Sequence, residues 1–211
     1  MTPTPQPTTA RSNALNIAGN ALIALLFLFL AIGAVNGFLA RGDLSLLLLA
    51  IQELLIVVLA ITRRRPIAGS NAIRDWVLAL AGTAAPLLLR SAAPIHPALL
   101  PVGVAVQTLG VALAVLATWS LGRSFGIVAA NRGVRTAGMY RFVRHPLYGS
   151  YLIGHIGFLL GNISVANVIL IVVTVTLQYL RAVVEEQFLL RDPAYQAYAA
   201  RVRHRFIPFL F

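Results

Sequence analysis

Two groups of residues in this chain have the types and spacing to do chemistry. In the first, "YRFVRHPLYG" (residues 140–149), Arg141, Arg144 and His145 stand directly before Pro146, where an apolar run begins. Proline at the first helical position is a normal helix start. A helix start also presents unpaired backbone N–H groups and the positive end of the helix dipole. Crowded by two arginines and a histidine, it forms a site for an anion such as a carboxylate or phosphate. The same arginines have a plainer use. Beside a membrane helix they set orientation and touch anionic headgroups, each contact worth about 1 kcal/mol.

The second group is "LRAVVEEQFLL" (residues 180–190). Glu185 and Glu186 are two of only three glutamates in the chain and stand at the end of the last long apolar run. Carboxylates at a helix C-terminus oppose the dipole, so stability alone does not favour them there. Either they accept hydrogen bonds from a ligand carrying N–H, O–H or positive charge, or they lie within a longer helix and pair with Arg181 or Arg191.

The elements that must position these groups follow from hydropathy. Of 211 residues, 59% are hydrophobic and 11% charged, against about a quarter charged in a soluble domain. The apolar residues run in long stretches, as in a membrane protein. Residues 1–13 (MTPTPQPTTARSN) are rich in Pro and Thr and read as a disordered cytoplasmic tail. Leu15–Leu39, Leu44–Ile61, Trp76–Leu89 (extending toward Ala93) and Ala98–Ser120 read as four membrane segments. A polar stretch over 121–145 follows, then Pro146–Leu160 and Ser164–Val184, joined by the turn signal "GNIS". The expected fold is therefore all-α: a polytopic membrane bundle of about six segments. Residues 14–118 form its N-terminal helices, and 119–211 a C-terminal functional region. Taking the N-terminus as cytoplasmic, fifteen arginines fall on the cytoplasmic side, and only Arg41 and Arg90 opposite. That asymmetry places both termini in the cytoplasm. Cysteine is absent, so thiolate metal sites are excluded and no metal is expected.

The last two segments then form an antiparallel hairpin, which returns Glu185 and Glu186 to the side of Arg144 and His145. At 1.5 Å per residue the arms are about 22 and 32 Å long. The longer arm carries the glutamates past the arginines and leaves a pocket at the membrane surface, suited to a zwitterionic or cation-bearing ligand.

These residues resemble a known pattern. "GMYRFVRHPLYGSYL", a helical hairpin, "EEQFLL" and "YQAYAARVRHRFIP" are similar to the isoprenylcysteine carboxyl methyltransferase family, whose wider group includes integral-membrane phospholipid N-methyltransferases. The resemblance covers about residues 119–208. It implies S-adenosyl-L-methionine as cofactor, held in a cytosol-facing pocket lined by Gly138, Tyr140, Arg144, His145, Pro146, Tyr148 and Gly149. Glu185 and Glu186 would bind its ribose hydroxyls or amino groups. A C-terminal amphipathic cytosolic helix bearing Tyr195, Tyr198 and Arg201 would close over it. Arg144 and Glu186 are the expected catalytic pair. A carboxylate acceptor is already a nucleophile and needs an arginine to hold it, Arg144 or one within 181–205. An amine acceptor must lose a proton, to a glutamate or histidine.

The expected partner is a lipophilic small molecule taken sideways from the bilayer, between the fourth and fifth helices, besides the membrane lipids themselves. No nucleic acid is expected. Gly33-x-x-x-Gly37 packs against a neighbour in this chain or in a second copy, so a homo-oligomer stays open. Two rival readings belong to other classes. Membrane sterol reductases share an HPxY element and use NADPH, but usually carry an asparagine after the proline and a glutamate soon after the tyrosine, where this chain has Leu147 and Gly149-Ser150. A non-enzymatic transporter or assembly factor would show inverted repeats or broken helices. Ser150, Gly154, Gly157 and Gly161 read as a close-packing face. Two intramembrane residues stay open between site and structure: His155, seven residues after Tyr148, and Glu53 beside Gln52.

Overall fold

The computed structural model describes residues 10–42, 44–64, 66, 68–69, 72–90, 96–128 and 130–207. Seven α-helices follow in order: α1 (Ala10–Arg41), α2 (Leu44–Thr62), α3 (Ile73–Ala84), α4 (Leu100–Leu121), α5 (Pro146–Gly161), α6 (Val165–Leu189) and α7 (Pro193–Arg201). Each expected apolar segment is one of the first six helices, with ends moved by a few residues. Of the proposed tail, residues 1–9 lie outside the described residues, and α1 already begins at Ala10. Among the described residues the only strands are β1 (Ala68–Gly69) and β2 (Ala130–Asn131), paired antiparallel. The chain is all-α in class.

Among the described residues, three helical stretches are long and apolar enough to cross a membrane: Gly19–Arg41, Pro97–Ser124 and Val165–Leu189. Leu46–Thr62 is a shorter apolar helix. The 12 residues of α3 and the 16 of α5 rise about 18 and 24 Å, below the ~30 Å of a hydrocarbon core. Large apolar side chains face outward along the long helices, Leu22, Phe29, Leu39 and Trp119 among them. In water such a surface would aggregate; in lipid it is the wetted face. The chain is an integral membrane protein.

The helices pack in a chain of pairs, α1 on α2, α2 on α4, α4 on α5, and α3 on α6. The closest of these is α4 against α5, and glycine makes it so. A Cβ placed on Gly110 would collide with the backbone of Gly154, and one on Gly157 with the backbone of Gln107. On Gly103 it would lie 2.8 Å from the Gly157 carbonyl oxygen. The small-residue face read from α5 therefore meets a second one on α4. This seam closes the route between the fourth and fifth helices that the sequence suggested for a lipid, since backbones in direct contact leave no gap.

The hairpin between α5 and α6 is pinned at the far end of the bundle. Ser164 caps α6 by accepting from the Asn167 backbone N–H at 3.1 Å. The buried Asn167 amide donates to the Asn162 and Arg90 carbonyls at 2.7 and 2.8 Å. Arg90 thus marks one end of the bundle. At the other end the Arg64 N–H donates to the Arg123 carbonyl and the Arg123 guanidinium to the Thr62 carbonyl.

The seam makes a directional prediction. Gly110→Ala should destabilise the protein by about 1–3 kcal/mol, the usual cost of overpacking. Gly154→Ala, whose added Cβ meets nothing within 4 Å, should leave stability unchanged. Thermal melting of the two variants in detergent checks this, and equal melting temperatures would refute the seam.

Candidate functional site

At the charged end, the start of α5 and the segment after α7 converge on the Glu186 carboxylate of α6. The helix α6 continues to Leu189, so both glutamates lie within it, as the longer-helix reading required. Their partners differ from the expected Arg181 and Arg191. Arg144 donates from Nε to Glu186 Oε1 at 2.7 Å, and His145 Nε2 stands 3.1 Å from the same oxygen. Arg205 reaches Oε2 through Nε at 3.0 Å and a terminal guanidinium nitrogen at 2.9 Å. Both carboxylate oxygens are engaged, and the group is buried.

Arg144 does more than pair. Its Nη1 donates to the Val202 and Arg203 carbonyls at 2.9 and 3.0 Å. The Arg144 and His145 backbone N–H groups donate to His204 and Arg205 carbonyls at 2.9 and 2.7 Å. The segment after α7 is thereby laid along the start of α5. Gly149 is small because the Phe206 carbonyl passes where a Cβ would stand. Gly138 is required twice over, by a φ of +62° and by the side chain of Ser120, which stands where a Cβ would go.

Above α7 the packing is aromatic. Asp192 caps the helix by accepting from the Ala194 N–H at 2.8 Å, and its other oxygen accepts from the Asn131 amide at 2.6 Å. Tyr198 donates to the Tyr140 carbonyl at 2.7 Å, and its ring meets Tyr195 edge-on at 5.6 Å between centroids. Burial pushes the Tyr198 phenol up to about 12, with Arg144 and Arg201 pulling the other way. It is a donor at any physiological pH.

These contacts wall a cavity of about 790 Å³. Of the residues expected at a site, Tyr140, Arg144, His145, Tyr148, Glu185 and Tyr198 line it. Gly138, Pro146, Gly149 and Glu186 are not part of that lining. Neighbouring positions on a helix point about 100° apart, so Glu185 faces the cavity while Glu186 faces the arginines. The Arg181 guanidinium lies over the Tyr148 ring, 5.7 Å from its centre.

The lining also holds Arg132 and Arg135, which sequence reasoning counted only toward orientation. Arg132 is buried, and its Nε has no partner among the described residues; the same is true of the Tyr195 hydroxyl. Burial first, and then the nearby Arg63, push the Arg132 guanidinium down to about 10, with Glu185 opposing. It is still a cation at neutral pH. The available signal was "NRGVR", two arginines framing a glycine in a polar stretch, which differs from the triple arginine that ends a membrane segment. The cavity runs on past Tyr151 to Gln52, Glu53 and His155. It reaches the outer surface where Phe29 and Ile32 of α1 and Leu87 after α3 line it while being 73%, 53% and 55% exposed.

Residues 98–196 match the family model of the phospholipid methyltransferases. The match begins just before α4, ends within α7 and covers just under half of the chain. No curated protein matches the chain. The resemblance read from the motifs is borne out over that segment, whose family members are membrane methyltransferases.

The Glu186 cluster predicts a split between the paired glutamates. Glu186→Ala leaves Arg144 and His145 facing a buried void, and should cost about 3 kcal/mol. It should also expose the bonds after Arg203 and Arg205 to trypsin. Glu185→Gln should change neither. Melting curves and limited proteolysis test this, and a trypsin-resistant Glu186→Ala would show that the cluster does not hold the segment down.

Proposed function

Starting from a chain that carries a phospholipid methyltransferase segment over α4–α7, we propose that it is an S-adenosyl-L-methionine-dependent methyltransferase. It acts on a lipophilic acceptor, the carboxylate of a prenylated or isoprenoid compound or a phospholipid amine, at the cytosolic membrane face. The observation that carries the reading is the composition of the cavity wall. At its charged end Glu185, the cations Arg132, Arg135 and Arg181, and the rings of Tyr140, Tyr148, Tyr195 and Tyr198 line it together.

The donor set fits the cofactor. Arg132 and Arg135 suit its carboxylate, and the buried Arg132 Nε without a partner is the kind of group an anionic ligand satisfies. Glu185 suits its ammonium or ribose hydroxyls. The faces of Tyr140, Tyr148, Tyr195 and Tyr198 suit an adenine ring or a cation. When bound, S-adenosyl-L-methionine supplies a methyl group activated by a sulfonium.

The residues of the chain then have three tasks. The Glu186 cluster and the segment it holds exclude water from the cavity. Arg132, Arg135 and Glu185 fix a ligand at both ends, which aligns an in-line displacement; alignment is worth several kcal/mol in such reactions. Arg144 positions the wall, since its Nε and Nη1 are committed to Glu186 and to backbone carbonyls. The holding role for a carboxylate acceptor passes to Arg181, whose side chain lines the cavity and also reaches the Ile127 carbonyl. The acceptor comes from the bilayer past Phe29, Ile32 and Leu87. The cytosolic placement rests on the arginine asymmetry, whose members Arg64, Arg123, Arg132 and Arg144 gather at one end.

Calorimetric titration with S-adenosylhomocysteine and with NADPH tests the reading. S-adenosylhomocysteine should bind, and Glu185→Gln and Arg132→Met should each weaken it about tenfold or more, the value of one charge-assisted hydrogen bond. Glu185→Gln is the informative variant, because Glu186→Ala would disturb the wall itself. Binding of NADPH without S-adenosylhomocysteine would overturn the proposal in favour of a reductase.

A further inference from the structure

The inner half of the cavity is chemically unlike its mouth. The arginines that line the cavity, Arg132, Arg135, Arg144 and Arg181, belong to the charged loops or to the last three turns of α6 and the start of α5. Beyond Tyr151 the polar lining includes Gln52 and Glu53 from α2, Tyr151 and His155 from α5, Asn36 of α1, Gln107 of α4 and Gln178 of α6. Among the described residues no lysine or arginine lines that part.

Two of these groups await a partner. Glu53 is 7% exposed, and its Oε2 has no hydrogen-bond partner among the described residues; nor does the buried Nε2 of His155. The neighbouring Gln52 is already placed, donating to the Tyr151 hydroxyl at 3.1 Å. A buried carboxylate oxygen and a ring nitrogen left unmatched beside a cavity are costly unless a ligand satisfies them. An anion could not do so without a cation to offset its burial, and among the described residues none lines that part. A group that donates N–H or O–H can.

We propose that the Glu53–His155 end of the cavity is an acceptor site that selects a lipophile whose polar end donates N–H or O–H and carries no negative charge. The inference rests on the methyltransferase reading and narrows its acceptor, setting the amine or hydroxyl class above the carboxylates. Both groups lie on cavity walls that the apolar rim at Phe29 and Leu87 joins to the lipid. Glu53 comes from α2, outside the segment that the family model matches.

Three probes of equal chain length separate the classes: dodecylamine, 4-dodecylphenol and dodecanoate. Each is added to the full-length protein in phosphatidylcholine nanodiscs and read by thermal shift. The amine and the phenol should raise the melting temperature and dodecanoate should not. Glu53→Leu and His155→Phe should each weaken the two donors about tenfold or more. Glu53→Leu should melt no lower than the parent when no probe is present, since it removes a buried carboxyl whose Oε2 has no partner among the described residues. An equal shift from dodecanoate, donor binding that survives Glu53→Leu, or a lower ligand-free melting temperature in that variant would each overturn the site. S-adenosylhomocysteine titrated in parallel keeps the two readings apart. Its binding should be unchanged by Glu53→Leu, and loss in that variant would assign Glu53 to the cofactor and overturn the acceptor site. Failure of S-adenosylhomocysteine to bind the parent protein, with donor selectivity intact, would sink the methyltransferase reading and support the Glu53 site.

Discussion

Burying the Glu186 carboxylate is the constraint around which the charged end of the bundle is organised. A carboxylate taken out of water carries a penalty of several kcal/mol even after relaxation. Here two guanidiniums and an imidazole, all from outside its own helix, offset it. Each reaches Glu186 only if its segment is in place. Arg144 and His145 fix the start of α5, and Arg205 fixes the strand-like segment that follows α7. One carboxylate thus ties the beginning of the hairpin, its end and the C-terminal segment into a single wall. The cluster is a positioning device, and its two oxygens are spent on it. That leaves Glu185, one residue earlier and about 100° round the helix, as the acid that faces the cavity at this end.

A second constraint explains why a cavity exists at all. The glycine seam draws α5 onto α4 until their backbones touch, while α3 is held on α6. The short α5 cannot fill the space between these pairs, and its aromatic and polar side chains line a gap that runs from Arg132 to His155. Tight packing on one face and a void on the other are two consequences of one choice of small residues. The resulting gap is graded, with cations and tyrosines at the mouth, an acid and a histidine deeper, and an apolar rim toward the lipid.

Much of this architecture was legible in the sequence, because long apolar runs admit few alternatives in a membrane. Helix positions came out within a few residues, and the "GNIS" turn and the convergence of "RHP" with the glutamate pair followed from the hairpin. What stayed hidden has physical reasons. Adjacent residues on a helix face different ways, so hydropathy could not say which of Glu185 and Glu186 faces the cavity. That depends on helix rotation, which distant partners set. Arg132 and Arg135 were masked by the many arginines that orientation alone explains. The lipid route between the fourth and fifth helices was inferred although the small residues of α5 already argued for close packing there; their partners Gly103 and Gly110 on α4 make that argument decisive.

The division of the chain between matched and unmatched halves bears on what each half does. Residues 98–196 bring Arg132, Arg135, Tyr148 and Glu185 to the cavity, the groups proposed above to hold a cofactor. The first two helices lie outside that span, yet Gln52, Glu53, Phe29 and Ile32 line the same cavity. A methyl donor is common to many reactions, whereas an acceptor differs from one to the next. A fold that keeps the donor's pocket on one set of helices and borrows the rest of the wall from another can change acceptor without disturbing the donor. The coupling between the halves is physical: Gln52 holds Tyr151 of α5 by its amide, so the Glu53 end of the cavity is registered against the hairpin that Glu186 anchors at its other end.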